Sequence, residues 1–328
     1  MRILLTHSPD AFASYYGERA LASLHQVGEV RRNEGAQSLE GEALIAAAQD
    51  CALIVSYRQS PAPASLFERL PGLVAFLRCA VDIRNVDVAA ASKAGVLVTQ
   101  ASAGFVPAVA ELVLGFLVDL SRGVGYAAAE YRAGRVPEAR PGKQLRGSTL
   151  GVIGYGAIGR EVARLGVGLG MRVLVFDPYV SESGPGITQT GFDELLANAD
   201  YVVPLAVASP ETENLMDASA FAKMKPGAFF INVSRGNLVD ETALEAALAS
   251  GRIAGCALDV GRAPDQMPTP RLAARADVIA TPHTAGLTSQ AIEHQSLETV
   301  AQASEIAAGR IPKGAVNPEH WKRKELLK

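Results

Sequence analysis

The chain is poor in cysteine and tryptophan, and neither sign of charge predominates. Its 328 residues include three cysteines and one tryptophan, and the formal net charge is −3 at pH 7. Cys51, Cys79 and Cys256 each lie in or beside an apolar run and form no Cys-x-x-Cys pair. They are typical of buried thiols in a reducing compartment, so we expect neither a disulfide framework nor a metal site. The balanced charges offer no basic surface to nucleic acid or to an anionic membrane.

Long hydrophobic runs are also missing. The longest apolar stretch, AVAELVLGFLVDL, is interrupted by Glu111 and Asp119, which argues against a membrane span. The N-terminal MRILLTHSPD becomes polar too soon to contain the apolar segment of a signal peptide. We therefore expect a cytoplasmic protein.

What the chain does have is enough apolar residues for two cores. Hydrophobic residues make up 48% of it, and its length exceeds that at which a single core usually stops growing. Ten short apolar runs predict strands, with helical patterns between them: RILLTH, ALIVSY, LVAFLR, GVLVTQ, LGVIGYG, RVLVFD, YVVPLAV, AFFINVS, AGCALDV and DVIATPH. Because these runs are continuously apolar rather than alternating, they predict parallel sheets covered on both faces. The expected fold class is α/β, with two doubly wound parallel-sheet domains.

Residues 107–134 predict one long helix. Pro107 suits its first turn, and apolar residues recur at helical spacing. These are Val109, Leu112, Val113, Phe116, Leu117 and Leu120. We expect this helix to leave the first domain and to pack on the second.

A glycine-rich turn is the strongest motif. Gly154, Gly156 and Gly159 form Gly-x-Gly-x-x-Gly directly after an apolar strand and at the start of a helical pattern. Glycines there permit a tight turn, a close approach of the backbone to a pyrophosphate, and close packing of helix on strand. Because the strand RVLVF follows where a dinucleotide fold needs it, we interpret the motif as a dinucleotide site rather than an ordinary turn.

Asp177, at the end of RVLVFD, indicates which dinucleotide is bound. A carboxylate there accepts hydrogen bonds from a ribose 2′-hydroxyl and repels a 2′-phosphate. Pro178, a further candidate contact with the cofactor, and Tyr179 add no positive charge. The sequence therefore favours NAD (NADH) over NADP.

Asp177, Arg235, Asp259 and His283 each follow a strand of the same predicted sheet, so they should line one edge. An arginine after a strand is usually a surface residue, but the guanidinium of Arg235 can also hold a carboxylate with two hydrogen bonds. His283 fits either a structural loop residue or a group that transfers a proton near neutral pH. Together these residues suggest hydride transfer coupled to proton transfer.

With these motifs the sequence resembles the D-isomer-specific 2-hydroxyacid dehydrogenases, the group that includes phosphoglycerate dehydrogenase and glyoxylate/hydroxypyruvate reductase. The resemblance runs from near residue 2 to about residue 317. It rests on AVAEL, GYGAIG with FDPY, SPETENL, FAKMKPGAFFINVSRGNLVDETAL, ALDV and TPHTAG.

The resemblance implies a domain arrangement and a set of cofactor contacts. A Rossmann NAD-binding domain, residues 102–286, would be inserted into a flavodoxin-like substrate domain made of residues 1–101 and 287–328. Homodimers are usual in the family. Asp259 would lie near the nicotinamide amide. The other implied cofactor contacts are Ala157, Ile158, Val207, Thr212, Val233, Ser234 and Gly286, beside Arg235 and His283.

The resemblance also implies the reaction. NADH would give a hydride to the carbonyl carbon of a 2-oxo acid, His283 would protonate the oxygen, and Arg235 would grip the substrate carboxylate. In the family a glutamate in the loop after LDV bonds the histidine and raises its pKa. Pro264 occupies that position here, and Asp265 follows it. We favour a re-routed loop in which Asp265 reaches His283; a histidine without a carboxylate partner, or one oriented by Gln266, is the alternative.

The substrate loop departs from the family pattern R-x-G-x-G-x-D-N-x-D, which appears here as RCAVDIRNVD. Ala80 and Asp82 replace the two glycines, and Arg84 replaces the aspartate. Asp82 would repel an anionic substrate unless Arg84 or Arg78 neutralises it, or unless its side chain turns to solvent.

Substrate contacts are still implied in this part of the chain. The backbone amides of Cys79, Ala80 and Val81 suit a carboxylate if the turn avoids positive φ. Arg58, after another strand, would bind a second anionic group of the substrate or else face solvent. Phe105 stands where the family usually has asparagine, so substrate specificity should differ.

Two other functions stay open. A dinucleotide-sensing regulatory protein of the same fold would explain the altered glycines and the missing glutamate, but not the retained Arg235 and His283. A formate- or phosphite-type dehydrogenase would remove a hydride from a small anion, and Gln266 would then matter more than Asp265. The sequence favours an NAD-dependent 2-hydroxyacid dehydrogenase.

Overall fold

The structure, a computed structural model, describes residues 1–180 and 183–327. Its strands are β1 (Arg2–Leu5), β2 (Glu29–Arg32), β3 (Leu53–Ser56), β4 (Ala75–Arg78), β5 (Leu97–Gln100), β6 (Thr149–Ile153), β7 (Arg172–Phe176), β8 (Ile187–Gln189), β9 (Tyr201–Pro204), β10 (Ala228–Asn232), β11 (Ile253–Leu258) and β12 (Val278–Ala280).

Helices connect these strands. They are α1 (Pro9–Tyr15), α2 (Glu18–Leu24), α3 (Gly41–Ala48), α4 (Ala64–Arg69), α5 (Val88–Ala94), α6 (Val106–Arg122), α7 (Val124–Arg132), α8 (Ala157–Gly168), α9 (Phe192–Asn198), α10 (Ala218–Lys223), α11 (Glu241–Ala249), α12 (Pro270–Ala273) and α13 (Ser289–Ala307). Short 3₁₀ helices lie at Pro210–Thr212, Gly236–Leu238, Pro264–Gln266, Pro318–His320 and Arg323–Leu327.

The chain divides into two compact units. The first contains Met1–Gly104 and the segment from Ser289 onward, and the second contains Phe105–Thr288. The second unit is thus inserted into the first.

The first unit is built on a five-stranded sheet with the order β2-β1-β3-β4-β5, and every pairing in it is parallel. This order is that of flavodoxin-like folds. Ile3 and Leu5 pack into the core on one face, and Leu4 packs into the core on the other. Both faces are therefore covered, which explains why Ile3, Leu4 and Leu5 are all apolar.

The second unit is built on a seven-stranded parallel sheet with the order β12-β11-β10-β9-β6-β7-β8. The strand order changes side at β6, because β7 and β8 lie on one side of it and β9 to β12 lie on the other. Open α/β sheets bind ligands at such a switch point. Val152 and Ile153 pack into the cores on opposite faces. The predicted fold class, two parallel-sheet α/β domains, is confirmed.

The segment predicted as one long helix contains two, because Gly123 adopts φ +63° between α6 and α7. Val109, Val113 and Phe116 of α6 are buried in the second unit, as their spacing predicts. By contrast, α7 buries none of its residues.

No helix among residues 1–180 and 183–327 is both long enough and apolar enough to cross a membrane.

Candidate functional site

The turn between β6 and α8 carries the three glycines of the motif. Gly154 adopts φ +98°, and a Cβ on it would lie 2.6 Å from the amide nitrogen of Ala206, so the position requires glycine. A Cβ on Gly159 would overlap the carbonyl oxygen of Gly154. These two glycines let α8 begin directly against the end of β6.

Gly156 leaves open space at the start of α8. It is the N-cap residue, and a Cβ on it would meet no atom within 4 Å. The first main-chain bond of the helix runs from the amide of Arg160 to the carbonyl of Gly156. The amides of Ala157, Ile158 and Gly159 are therefore not used inside the helix. Open space beside such amides fits a dinucleotide pyrophosphate.

Asp177 follows β7 and lies against the glycine turn. Its carboxylate accepts hydrogen bonds from the amides of Tyr155 at 2.8 Å and Tyr179 at 2.9 Å. Pro178 is exposed beside it. The acid thus stands at the end of the second strand of the unit, where a dinucleotide fold binds the adenosine ribose.

One hydroxyl group ties the segment after β10 to the segment after β9, and a second closes the segment after β9 on itself. The hydroxyl of Ser234 donates to the carbonyl of Ala206 at 3.3 Å, and the hydroxyl of Thr212 donates to the carbonyl of Val207 at 2.6 Å. Val233 is buried, whereas Val207 is 82% exposed. An exposed valine on this edge of the sheet is available to cover a bound ligand.

The strand register brings Arg235 and His283 to the same edge of one sheet. The last residues of β10, β11 and β12, which are Asn232, Leu258 and Ala280, lie side by side. Arg235 and His283 follow the first and the third of these strands by three residues each. The site therefore has a guanidinium and an imidazole at the ends of the two strands that flank β11.

The turn that carries Arg235 is fixed by a buried amide. Asn232, 1% exposed, donates through Nδ2 to the carbonyl of Arg235 at 2.9 Å and accepts from the amide of Ser234 at 3.1 Å. A Cβ on Gly236 would overlap the carbonyl of Gly261, so the next residue must be glycine. Sequence reasoning missed Asn232, although an amide that ends the apolar run AFFIN is a detectable signal.

Asp259 holds the turn that carries His283. Its carboxylate, fully buried, accepts from the Thr281 hydroxyl at 2.6 Å and from the amides of Thr284 at 2.8 Å and Ala285 at 2.9 Å. Its carbonyl accepts from the amide of His283 at 3.0 Å. Sequence reasoning named Asp259 but missed Thr281, two residues before the histidine.

The imidazole of His283 is bound to the loop after β11. Its Nδ1 lies 2.7 Å from the main-chain carbonyl oxygen of Asp265. The sequence favoured the Asp265 carboxylate as the partner, so the acceptor differs from the expectation. The physical reason lies in the backbone, because Asp265 and Gln266 adopt φ +55° and +57° and this left-handed turn brings the carbonyl to the ring.

Gly286 follows this turn and packs on Phe105. A Cβ on Gly286 would lie 3.2 Å from the Cβ of Phe105. Phe105 itself packs against the core of the second unit. An aromatic ring at this position is therefore accommodated by a glycine opposite it.

In the first unit, Arg78 is a fully buried guanidinium. It donates to the carbonyls of Tyr57 and, at 3.0 Å, of Ser60. Burial lowers the pKa of Arg78 to about 10, which leaves it charged at neutral pH. Its role is to anchor the segment that contains Arg58, whose carbonyl accepts from the Asn85 amide at 3.2 Å.

The candidate carboxylate-binding turn follows β4. Cys79 and Ala80 are buried and Val81 is half-buried, and none of the three adopts positive φ. Burial raises the pKa of the Cys79 thiol to about 12, so the group stays neutral. The turn thus meets the condition that the sequence set for binding an anion through backbone amides.

Asp82 is neutralised by Arg84. The Arg84 guanidinium donates to both carboxylate oxygens, with Nε at 3.0 Å from each and Nη2 at 2.6 Å from Oδ2. Since the pair is exposed, its strength is modest. The negative charge beside the turn is nevertheless balanced locally, by Arg84 as the sequence allowed.

Arg58 is half-buried after β3. The carbon at the centre of its guanidinium lies 5.1 Å from the ring centroid of Tyr15. Its guanidinium therefore lies over an aromatic ring, although the alternative from the sequence was a solvent-facing arginine.

Comparisons with known proteins agree with this geometry. Residues 114–285 match the family model described as D-isomer specific 2-hydroxyacid dehydrogenase, NAD binding domain. The chain thus carries an NAD-binding domain, and the glycine turn, the start of α8 and Asp177 fit this cofactor.

Among similar proteins, a D-3-phosphoglycerate dehydrogenase from Mycobacterium leprae is 33% identical over 93% of this chain and 58% of its own length. Another, from Methanocaldococcus jannaschii, is 31% identical over 95% of this chain and 60% of its own length. The chain spans about three fifths of the length of these curated relatives. The solved apo-structure of D-lactate dehydrogenase from Escherichia coli is 27% identical, with a TM-score of 0.79 over 96% of this chain and 100% of that one.

Proposed function

We propose that this chain, which belongs to the D-isomer-specific 2-hydroxyacid dehydrogenase family, is an NAD-dependent oxidoreductase acting on a small 2-oxo or 2-hydroxy acid. The observation that carries the proposal is the position of Arg235 and His283 in the NAD-binding domain. Each follows a parallel strand, and the last residues of these strands are in register through β11. The names of the relatives, D-3-phosphoglycerate and D-lactate dehydrogenase, support a 2-hydroxy acid as substrate.

The cofactor is proposed to lie along the carboxyl edge of the seven-stranded sheet. NAD(H) supplies or accepts the hydride when it is bound. The amides at the start of α8 would hold the pyrophosphate beside Gly156, and Asp177 would accept bonds from the ribose and disfavour a 2′-phosphate. Asp259 is proposed to lie near the nicotinamide amide while its carboxylate holds the turn of His283.

Arg235 is proposed to bind the substrate carboxylate and to polarise the neighbouring carbonyl. A planar guanidinium offers two parallel N–H donors, which matches the geometry of a carboxylate. The bonds that Asn232 makes around Arg235 support this role, since they fix the main chain from which the side chain extends.

His283 is proposed to exchange the proton through Nε2. Because Nδ1 faces a carbonyl oxygen, which can only accept, Nδ1 must carry a hydrogen. The other ring nitrogen is then the one that gives a proton to the substrate oxygen in reduction and takes it back in oxidation.

The first unit is proposed to bind the rest of the substrate. The amides of Cys79, Ala80 and Val81 would contact its carboxylate, and Arg58 would bind a second anionic group. The balanced charge at Asp82 supports this part of the proposal, because an unpaired carboxylate there would repel an anion.

The test is turnover of NADH with a panel of 2-oxo acids, followed by the loss of nicotinamide absorbance. We expect reduction of at least one panel member and loss of that activity in His283→Ala. Tight NADH binding without turnover would instead favour a dinucleotide sensor. Reduction of NAD by formate or phosphite alone would favour a formate- or phosphite-type dehydrogenase.

A homodimer and a cytoplasmic location complete the proposal. Val124, Tyr126 and Tyr131 of α7 are 46–64% exposed although apolar or aromatic, which supports contact with a second copy of this chain. The three cysteines are free and buried, which supports a reducing compartment. Light scattering on the purified protein, compared with Tyr131→Glu, tests the dimer.

A further inference from the structure

We propose that Asp265 is a positioning residue for His283 that acts through its main-chain carbonyl oxygen. The inference rests on the proposed function and deepens it. It identifies the atom that orients the imidazole as the uncharged main-chain oxygen of Asp265 rather than its side-chain carboxylate.

The contact is short, and it depends on an unusual backbone. Nδ1 of His283 lies 2.7 Å from the carbonyl oxygen of Asp265. Asp265, Gln266 and His283 adopt φ of +55°, +57° and +54°, and only one other residue besides glycine in the described chain has positive φ. Left-handed backbone of this kind concentrates at functional sites, where the surrounding structure must hold it in place.

The loop around Asp265 is closed by main-chain bonds. The amide of Gly261 donates to the carbonyl of Gln266 at 2.8 Å, and the amide of Ala263 donates to the carbonyl of Met267 at 3.1 Å. The carboxylate of Glu241 accepts from the amide of Arg262 at 3.0 Å. The carbonyl of Asp265 therefore projects from a loop whose base is fixed.

A carbonyl acceptor has two chemical consequences. It accepts a hydrogen bond from Nδ1 in both the neutral and the protonated imidazole, so it selects the Nδ1–H tautomer and leaves Nε2 for the substrate oxygen. Because the acceptor belongs to the main chain, it stays in place when the Asp265 carboxylate is removed, so Asp265→Asn should keep the Nδ1–H tautomer.

The charged groups on the surrounding elements have their own partners. The Asp259 carboxylate bonds Thr281 and the turn amides. Arg262 pairs with Glu213 at 2.8 Å, and Glu241 accepts from the Thr269 hydroxyl at 3.0 Å.

Arg235, which follows β10 on the other side of β11, donates to the carbonyl of Ser234 at 2.8 Å. The experiment changes the side chain of Asp265 directly.

The experiment compares Asp265→Asn with Asp265→Val. Asparagine tolerates φ near +55°, whereas a β-branched side chain does not. We expect the Asn variant to keep the contact between Nδ1 and the main-chain carbonyl, with kcat lowered less than about fivefold. We expect the Val variant to lower kcat about tenfold or more, with little change in NADH affinity, since the carbonyl moves away from Nδ1.

A second readout does not depend on activity or on folding of the Val variant. The ¹⁵N signals of the His283 ring, identified as those lost in His283→Gln, report which nitrogen carries the hydrogen when the ring is neutral. We expect the hydrogen on Nδ1, in both the unmodified protein and the Asn variant.

Two results would overturn the proposal: a neutral ring with its hydrogen on Nε2, or a loss of kcat in Asp265→Asn as large as that in Asp265→Val. If the Nδ1 tautomer is found but no 2-oxo acid is reduced, the proposed function is wrong. The proposed role of Asp265 in the reaction is then wrong as well, whereas its contact with the imidazole is confirmed.

Discussion

The hydroxyl of Thr281 donates a 2.6 Å hydrogen bond to the carboxylate of Asp259, which is fully buried. This bond ties the end of β12 to the end of β11, directly below His283. The imidazole thus depends on a buried polar contact between two strands as well as on the loop beside it.

Thr281→Val, which has almost the same shape, should weaken both stability and activity. The buried carboxylate would lose one of its three donors, and such a loss costs about 1–3 kcal/mol. We expect a fall of that size in the free energy of unfolding, measured with denaturant, and a lower kcat for 2-oxo acid reduction. Thr281→Ser keeps the donor and should restore most of both, and equal behaviour of the Val and Ser variants would argue against the contact.

Two glycine substitutions in the same turn should separate binding from folding. A methyl group at Gly156 meets no protein atom within 4 Å, so Gly156→Ala should leave the melting temperature nearly unchanged and weaken NADH binding about tenfold or more, measured by fluorescence titration. A methyl group at Gly159 overlaps the carbonyl of Gly154, so Gly159→Ala should lower the melting temperature. If Gly156→Ala bound NADH normally, the pyrophosphate would not lie at this turn.

Arg235→Ala should act on the substrate more than on the cofactor. Loss of two charge-assisted hydrogen bonds, at about 1.5–3 kcal/mol each, corresponds to a fall in kcat/KM of roughly a hundredfold to ten-thousandfold. Arg235→Lys keeps the positive charge but lacks the two parallel N–H donors. Its kcat/KM should therefore lie between those of the Ala variant and the unmodified protein. Arg275→Lys is a suitable control, because Arg275 pairs with Asp277 at the other end of β12; an Arg235→Ala enzyme as active as this control would exclude the proposed role.

His7 should make the first unit less stable in mild acid. Burial, with a smaller contribution from Arg78, lowers the pKa of His7 from 6.5 to about 3. Between these values the unfolded chain binds a proton that the folded chain excludes, so stability falls as the pH decreases. The loss from pH 7 to pH 5 is about 2 kcal/mol.

His7→Phe should remove this part of the pH dependence. The exposed His320 provides the matched substitution, His320→Phe. The decrease of the unfolding free energy from pH 7 to pH 5 should become smaller in His7→Phe and stay the same in His320→Phe. An unchanged decrease in His7→Phe would show that the imidazole is not excluded from protonation in the folded state.

The strands inside both sheets could be predicted from the sequence, as could one edge strand of each sheet, β5 and β12, but the other two edge strands could not. All ten apolar runs contain or overlap strands, because a strand covered on both faces must be apolar throughout. The two strands that were missed are β2 and β8, with the sequences EVRR and ITQ, and each lies at the edge of its sheet. An edge strand needs little burial, so its sequence carries little signal.

The break between α6 and α7 was also missed. The residues around Gly123 continue the helical pattern, and a glycine inside such a pattern does not by itself reveal the left-handed φ that ends the helix. The apolar stripe was predicted correctly because it depends only on spacing.

The sequence predicted the candidate-site residues that directly follow strands, but it did not predict the contact that the backbone conformation of a loop creates. Arg235 and His283 were named because each follows an apolar strand of one sheet. The carbonyl partner of His283 was not, since two consecutive left-handed residues, Asp265 and Gln266, contain no glycine that would signal the turn. The substrate role of the first unit stays a prediction.

The most direct measurement follows a labelled hydrogen. NADH deuterated at C4 of the nicotinamide, in each of its two stereoisomers, is incubated with the protein and the 2-oxo acid it reduces, and the product is examined by mass spectrometry and NMR. We predict deuterium on C2 of a D-2-hydroxy acid from one stereoisomer only, with the transfer abolished in His283→Ala. Product without deuterium from either stereoisomer, or equal transfer in His283→Ala, would contradict hydride transfer at this site.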